Sequence, residues 1–244
     1  MKLTIITVCY NDASALNRTI DSIEDQEFEL EHVVIDGGST DGTVELLKSA
    51  QLRCKNFMYL SEPDKGVYDA INKGVKLSTS EYLLILNAGD TFGSNDVIKA
   101  IFSSSYFSNQ YYLVGRVRYL YKTGKVKSDN PNFSSKKYLE CSHQAFIYKK
   151  SLHDIVGFYT LLYKSASDYD FFSKVYKKYG LLQTEKYPFI ISIREKFGAD
   201  MSDSMQHTVE MIKIDYKHNR LRETLVKRTK EFSIKLIKVM TVRQ

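Results

Sequence analysis

The segment VVIDGGSTDGT, residues 33–43, indicates the fold class of this chain. Its first three residues are β-branched and apolar without polar alternation, which is typical of a strand buried on both faces of a parallel sheet. Two glycine-containing turns then end the strand, and Thr43 opens a helical pattern. A buried strand, a short polar loop and a helix in this order form the repeating unit of an α/β fold.

Three further strand-and-loop pairs flank this stretch. Their strands are predicted from apolar runs at residues 3–8, 57–60 and 81–86. Helical spacing predicts helices over residues 15–25 and from Val67 to a stop at Gly74. Because strand and helix alternate through short connections, the sequence predicts βαβ units and a parallel sheet. Ligands bind at the carboxyl ends of such strands, so the polar loops there are the expected site.

The second half of the chain, from residue 93, is less regular. Its predicted elements are strands at residues 111–121, 146–148 and 189–193, a hairpin turn at Gly124 and Lys125, and a helix at residues 167–178. From Ser204 onward the pattern is continuously helical, without Gly or Pro. We therefore expect an α/β domain over residues 1–203, with a mainly parallel sheet flanked by helices, and a basic amphipathic helical extension over residues 204–244.

Charge and cysteine content restrict the class of function. Residues 205–244 carry the whole net charge of +6, since they hold ten Lys and Arg against four Asp and Glu, a difference of +6. The preceding residues are therefore close to neutral. This argues against a nucleic-acid partner, because proteins that bind nucleic acid usually present a basic surface. Three separated cysteines without a CxxC pair argue against a disulfide framework and against a thiolate zinc site. The N-terminal apolar run is too short for a signal peptide, and no stretch reaches the roughly 20 apolar residues of a membrane span, so we expect a cytoplasmic protein.

Polar residues that suit nucleotide and metal chemistry stand directly after the predicted strands. Asp36 follows the second strand, where it is free to accept hydrogen bonds from a base or ribose. Asp90, in the NAGD turn after the fourth strand, is the candidate ligand for Mg²⁺ or Mn²⁺, with Asn87 as a neutral companion. Each turn alone also fits simple strand termination or helix capping. Neither a GxGxxG fingerprint nor a Walker A loop occurs, so those two phosphate-binding loops are excluded.

Four segments in order, ITVCYND, VVIDGGSTDGT, SEPDKGVYDAINKG and LLILNAGD, closely resemble the family 2 glycosyltransferases. The likeness is strongest over residues 1–92, recurs at CSHQAFIYKK and SASDYDFFSKV, and fades after about residue 203. It implies a GT-A fold, with a nucleotide-binding half over residues 1–92 and an acceptor and catalytic-base half over residues 93–203. It also implies inverting transfer of a sugar from a nucleotide diphosphate donor, usually a UDP-sugar. The acceptor would be a hydroxyl of a saccharide, a glycolipid or a glycoprotein, often in bacterial surface polysaccharide assembly.

The resemblance assigns residues to the nucleotide pocket. The positions that match the family's pocket are Thr7, Val8 and Tyr10 at the first strand, Asp36 at the second, and Asp64 and Lys65 in the third loop. In the family, the residue matched by Asp36 reads the base, and Lys65 is expected to meet a phosphate.

The turn after the fourth strand departs from the family's DxD-type motif. Asp90 matches the last acid, the metal ligand, but Asn87 stands at the first acidic position and Gly89 at the third, with Ala88 between them in the nucleotide pocket. With one anion fewer near the cation, either the metal affinity is lower or the diphosphate supplies most of the ligands.

The catalytic base is expected in the second half. Asp168 matches the family's base, which takes the proton of the acceptor hydroxyl as that oxygen attacks the anomeric carbon. Asp170 would point to a different side of the same helix. His143 and Gln144 match a pair found on the acceptor side. Without the resemblance, the two aspartates would be ordinary carboxylates at a helix N-terminus, and His143 a hydrogen-bonded loop residue.

Two rival functions and several roles of the tail remain open at this point. One rival is a catalytically silent subunit that binds nucleotide sugars and scaffolds a glycosylation complex. The other is a nucleotidyltransferase. That class binds a triphosphate with a glycine-rich, arginine-containing N-terminal loop, and the N-terminal segment ITVCYNDAS has no such loop. The tail either packs on its own domain, joins a homo-oligomer, or docks as an amphipathic helix on anionic lipid at the cytoplasmic face of a membrane.

Overall fold

The computed structural model describes residues 2–104, 107, 110–128, 141–180, 189–196 and 204–241, with side chains except at 223 and 237–241. In chain order the described elements are β1 (Leu3–Cys9), α1 (Ala13–Glu24), β2 (Glu31–Asp36), α2 (Thr43–Arg53), β3 (Phe57–Ser61), α3 (Val67–Leu77), β4 (Tyr82–Ile85), β5 (Thr91–Phe92), α4 (Val97–Ser103), β6 (Tyr112–Val114), β7 (Arg116–Tyr121), β8 (Val126–Ser128), β9 (Phe146–Lys149), α5 (Leu152–Val156), α6 (Ser167–Tyr179), β10 (Ile190–Lys196), α7 (Met205–Lys217) and α8 (Leu221–Thr241). A 3₁₀ turn at His143–Ala145 precedes β9.

A six-stranded sheet with the strand order β3-β2-β1-β4-β9-β6 forms the centre of the fold. The strands β3, β2, β1 and β4 are parallel to one another, whereas β9 is antiparallel to both β4 and β6. A second sheet has the order β5-β10-β7-β8. The predicted mixed, mainly parallel sheet flanked by helices is therefore confirmed.

The helices cover this sheet because its inner strands are apolar on both faces. Every residue of β1 and β2 is buried. One core cluster joins the sheet to α3 and α6 and includes Ile6, Ile71 and Phe172. A second cluster joins the two sheets and includes Leu84 of β4 and Ile191 of β10.

Gly74 does not end α3, contrary to the sequence prediction, because the helix continues to Leu77. A Cβ atom at Gly74 would lie 2.4 Å from Cγ2 of Ile6 in β1. The glycine therefore lets the helix approach the sheet closely. Its role is in packing, which its position in the sequence does not reveal.

The predicted strand over residues 111–121 is divided between the two sheets. Tyr112–Val114 pairs with β9 in the central sheet, and Arg116–Tyr121 pairs with β10 in the second sheet. Gly115 separates the two strands, and the predicted hairpin turn connects β7 to the antiparallel strand β8.

The C-terminal segment forms two helices, where the sequence predicts one continuous helix. The chain turns at Asn219, whose φ of 58° lies in the left-handed region that asparagine tolerates. The helix α7 packs on α8 and on α6, so the tail lies against the body of the protein. The predicted domain boundary at residue 203 lies outside the described residues. Within the described part of the chain, no helix has the length and apolar character needed to span a membrane.

Candidate active site

The carboxyl ends of β1 and β4 mark the point where the strand order of the sheet reverses. In open α/β sheets this is where ligands bind. The loops that follow these strands meet here, since the backbone N–H of Ala88 donates to the carbonyl of Val8 at 3.2 Å. The polar loops predicted from the sequence therefore share one edge of the sheet.

Asp36 ends β2 and is fully buried at this edge. It accepts hydrogen bonds from the Ser39 backbone N–H at 3.0 Å, from the Ser39 hydroxyl, and from the Ser61 hydroxyl at 2.6 Å. Burial alone would raise the pKa of Asp36, but the hydrogen bonds from Ser39 and Ser61 hold it below its ordinary value. The carboxylate is therefore ionised and fixed at neutral pH. Contrary to the sequence prediction, it is not free to accept hydrogen bonds from a base or ribose, because it is buried and bound by Ser39 and Ser61.

Two side chains of the predicted pocket converge over Gly37. A Cβ atom there would lie 2.8 Å from Oδ2 of Asp64 and 3.2 Å from Cδ2 of Tyr10. Tyr10 is 65% exposed, and Lys65 beside Asp64 is also exposed. These three residues form an open rim over the buried Asp36.

Three other predicted pocket residues, on β1 and in the loop after β4, lie in or near the core. The Thr7 side chain is fully buried, with its hydroxyl oxygen 3.0 Å from Nε2 of His32. Val8 is 8% exposed, and Ala88 packs against an apolar cluster. The structure therefore does not bring these side chains to the rim.

A second cluster joins the loop after β4 to the start of α6. Nδ2 of Asn87 lies 3.2 Å from Nε2 of His143, and Nδ1 of His143 lies 3.1 Å from Oδ2 of Asp168. The Tyr68 hydroxyl donates to Oδ1 of Asp168 at 3.0 Å. A neutral His143 that carries its proton on Nδ1 satisfies both of its contacts, because it then donates to Asp168 and accepts from Asn87.

Asp168 is held as a carboxylate by these donors. Burial would raise its pKa, but the hydrogen bonds from His143 and Tyr68 keep the pKa below its ordinary value. Its side chain is 19% exposed, so it remains accessible at one side. Tyr68 was missed in the sequence because a tyrosine in the first turn of a helix resembles an ordinary core residue.

Asp90 lies in a different environment from Asp168. It is 4% exposed and accepts a hydrogen bond from Nε2 of Gln144 at 3.1 Å. Burial raises the pKa of Asp90 to about 6, although Arg194 and Gln144 act in the opposite direction. The structure thus pairs the predicted metal ligand with one of the two residues predicted on the acceptor side.

The donors near Asp90 fit a weakly held divalent cation. Within the described residues, no group of three or more His, Cys, Asp and Glu side chains is arranged to hold a metal ion. The loop does supply one carboxylate, and Oδ1 of Asn87 is buried without a hydrogen-bond partner among the described atoms. One carboxylate and one amide oxygen suit Mg²⁺ or Mn²⁺ when a diphosphate supplies further oxygen ligands.

Comparison with known proteins identifies the family and several relatives of this chain. Residues 4–171 match the family described as Glycosyl transferase family 2. The chain is 34% identical over 179 residues to an uncharacterized glycosyltransferase of Mycobacterium tuberculosis, covering 69% of this chain and 66% of that protein. It is 30% identical over 204 residues to the PGL/p-HBAD biosynthesis glycosyltransferase of Mycobacterium bovis, covering 80% and 77%.

Solved structures with low sequence identity share the fold. TarS of Staphylococcus aureus, residues 1–349, is 18% identical with a TM-score of 0.66, covering 88% of this chain and 65% of that one. A mannosyltransferase from Pyrobaculum calidifontis in complex with GDP-Man and Mn²⁺ is 18% identical with a TM-score of 0.68, covering 90% and 64%. The chain thus spans about two thirds of the length of several relatives. The predicted GT-A fold is confirmed, and because the family match covers more than half of its residues, the chain belongs to glycosyl transferase family 2.

Proposed function

We propose that the protein transfers a sugar, with inversion, from a nucleotide diphosphate sugar to a hydroxyl of a saccharide or lipid-linked saccharide. The observation that carries this proposal is the ionised Asp168, held by His143 and Tyr68, beside the loop after β4 to which Asn87 belongs. TarS structures in complex with UDP and with UDP-GlcNAc support a UDP-sugar as the donor.

In the proposed reaction, Asp168 accepts the proton of the acceptor hydroxyl. The hydroxyl oxygen forms a bond to the anomeric carbon, while the bond from that carbon to the diphosphate oxygen breaks on the opposite face. The nucleoside diphosphate leaves with the electron pair. Hydrogen bonds from Tyr68 and His143 orient the carboxylate and keep it ionised before the proton arrives.

The donor would bind at the rim formed by Tyr10, Asp64 and Lys65. Lys65 offers an exposed cation for a phosphate. Asp36 would support the loop after β2, which faces the nucleotide base. Asp90 and Asn87 would hold Mg²⁺ or Mn²⁺, which supplies charge neutralisation to the departing diphosphate. A cation would also offset the desolvation that makes an ionised Asp90 unfavourable.

Transfer from a panel of UDP-, GDP- and TDP-sugars, with Mn²⁺ or with EDTA, tests the proposal. We expect release of one nucleoside diphosphate, stimulated by Mn²⁺, and a loss of about 10³-fold in Asp168→Ala. The matched control is Asp154→Ala, which removes an exposed carboxylate from α5 and should keep wild-type activity. Full activity in Asp168→Ala would refute this mechanism. Donor binding without turnover would indicate a silent binding subunit, and pyrophosphate release from a nucleoside triphosphate a nucleotidyltransferase.

We also propose that the outer face of α8 docks on an anionic membrane surface, where lipid-linked acceptors reside. Leu225 and Val226 are 52% and 83% exposed, and Arg222 and Lys230 are exposed on the same helix. Exposed apolar side chains among cations suit an interface with anionic lipid.

Co-sedimentation with vesicles of phosphatidylcholine, with or without about 30% phosphatidylglycerol, tests this docking. We expect binding only to the anionic vesicles, weakened by salt and by Val226→Glu. Glu45→Gln on the exposed face of helix α2 serves as a control that should bind normally. Equal binding to both vesicles would contradict the proposal, as would a stable dimer in solution that requires Val226.

A further inference from the structure

The helix that carries the proposed base is tied to the C-terminal tail through Asp170. Its carboxylate is 1% exposed, lies 2.9 Å from Nζ of Lys174 and of Lys217, and lies 3.0 Å from Nε2 of His218. Burial would raise the pKa of Asp170, but its contacts with His218, Lys174 and Lys217 hold it well below the ordinary value. Two of these three partners belong to the end of α7, so the charge of Asp170 joins α6 to the tail.

A second connection lies one residue after the base. The fully buried Asp215 of α7 accepts from the Tyr169 hydroxyl at 2.6 Å and from Nε of Arg228 at 2.8 Å. Arg220 donates to the Ser173 hydroxyl at 2.6 Å. Both guanidinium groups lie 5.2 Å from the centre of the Tyr169 ring. Charged side chains of the tail therefore enclose Tyr169.

A third connection holds the segment that precedes α6. Glu210 of α7 accepts hydrogen bonds from the backbone N–H of Lys164 at 3.0 Å and of Ser165 at 2.9 Å, and from the Ser165 hydroxyl at 2.9 Å. Nδ1 of His207 lies 2.9 Å from the carbonyl oxygen of Ser165. The tail thus satisfies the backbone just before the first turn of α6, which no side-chain N-cap covers.

These connections fall on both sides of Asp168, and we propose that α7 and α8 position this carboxylate, with Glu210 and Asp215 as positioning residues. This inference rests on the proposed role of Asp168 as the base. Relative to well-packed apolar residues, a buried ionic network often adds little net stability, and its role in some proteins is to fix one particular arrangement. Here the network fixes the start of α6. Displacement of a reacting group by about 1 Å lowers a rate by up to ~10²-fold, so an anchor that makes no contact with substrate still controls turnover.

Glu210→Ala tests the proposal, because it releases the segment before α6 while leaving the ion pairs of Asp215 and Asp170 in place. We expect kcat to fall about tenfold, with the Kd for UDP unchanged. The ¹⁵N signals of the His143 ring should also move, since its Nδ1 contacts Asp168. Glu210→Gln keeps one carbonyl acceptor and should restore part of kcat. Glu27→Ala is the matched control, because the exposed side chain of Glu27 pairs with Lys99, and neither residue belongs to α6 or to the tail.

The outcomes separate positioning from stabilisation. A Glu210→Ala variant with a lower melting temperature but with wild-type kcat and His143 signals would overturn the proposal. Equal losses of kcat in Glu210→Ala and Glu27→Ala would also overturn it. The His143 signals need no turnover, so they decide the question even if the wild-type protein transfers no sugar, which would count against the proposed function alone.

Discussion

The loop that ends β2 and the first turn of α6 each hold an aspartate whose pKa lies below its ordinary value. Asp36 takes its hydrogen bonds from Ser39, three residues further on, and from Ser61 at the end of the adjacent strand. Asp168 takes its side-chain hydrogen bonds from Tyr68 and His143, which are 100 and 25 residues away in the chain. The first environment is built mostly by one loop, and the second by several elements at once.

Because of this difference, substitutions in the two halves of the chain should change different properties of the protein. The Asp36 carboxylate is bound mostly by its own loop and depends on the local strand-turn-helix arrangement. The rest of the protein should tolerate the loss of this carboxylate. The base region depends on α3, the turn before β9, and the tail. We therefore expect substitutions near Asp36 to alter donor affinity, and substitutions around α6 to alter turnover or global stability.

The largest expected effect is on stability, in the ion pair between Arg228 and Asp215. These side chains are 1% and 0% exposed, so Arg228→Ala leaves a buried carboxylate with less compensation. We expect a loss of about 3–5 kcal/mol in the free energy of unfolding, measured in urea at neutral pH.

The control for Arg228 is Arg53→Ala in the first half. Arg53 pairs with Asp21, and the two side chains are 46% and 49% exposed. Removing a solvent-exposed pair should cost less than about 1 kcal/mol. Similar losses in the two variants would remove the contrast drawn between the halves.

The next effect concerns turnover and the contact of His143 with Asp168. We expect His143→Ala to lower kcat by about 10²-fold without changing the Kd for UDP. Because His143 lowers the pKa of Asp168, its removal should raise that pKa and shift the acid limb of the kcat/KM profile to higher pH.

A conservative variant sharpens this test. The amide nitrogen of Asn occupies nearly the same position as Nδ1 of His, so His143→Asn can still donate to Asp168 while losing Asn87. We expect a smaller loss of kcat than in His143→Ala. A pH profile identical to that of the wild type in both variants would contradict the assigned contact.

The same contrast explains which features the sequence predicts. The first-half strands, their loops and the carboxylates at their ends follow from apolar runs and turn residues that are adjacent in the chain. Asp36 and Asp90 were found in this way, and both lie at the carboxyl edge of the sheet. Such signals identify the element that carries a residue, but not the partner that another element brings to it.

Features that depend on partners from distant elements were therefore missed. Tyr68 reads as a core residue until α6 is placed beside it, and Asp215 and Arg228 read as two charges of a basic tail. Gly74 was predicted to be a helix stop because the neighbouring Ile6 is 68 residues away in the chain. Each of these interpretations required the tertiary packing that only the structure supplies.

Two buried histidines, one in each half, test whether burial itself differs between the regions. Burial lowers the pKa of His32 to about 3 and that of His153 to about 4. Both are neutral in the folded state, whereas the unfolded chain binds protons below its pKa of about 6.5. Stability should therefore fall as the pH falls from about 6.5 to 4.5, by about 2 kcal/mol for each histidine.

We expect His32→Gln and His153→Gln each to remove a similar part of this loss, with His32→Gln removing slightly more because its pKa is lower. Urea unfolding at several pH values in this window measures it. A loss confined to one histidine would show that the halves differ in burial as well as in their hydrogen-bond partners.

The smallest effect is expected for Asp36→Asn in the local environment of the first half. The amide keeps the shape of the side chain but loses the charge that Ser39 and Ser61 stabilise. The loop after β2, which faces the nucleotide base, should then be held less firmly. We therefore expect UDP to bind about tenfold more weakly, equivalent to about 1.4 kcal/mol. The value of kcat at saturating donor should change by less than about threefold.

Isothermal titration calorimetry with UDP gives the affinity, with Glu45→Gln on the exposed face of α2 as the control. Unchanged affinity for UDP together with a large fall in kcat would contradict this prediction. Asp36 would then act on turnover, as Asp168 does, and the two regions would no longer differ in the step that their aspartates control.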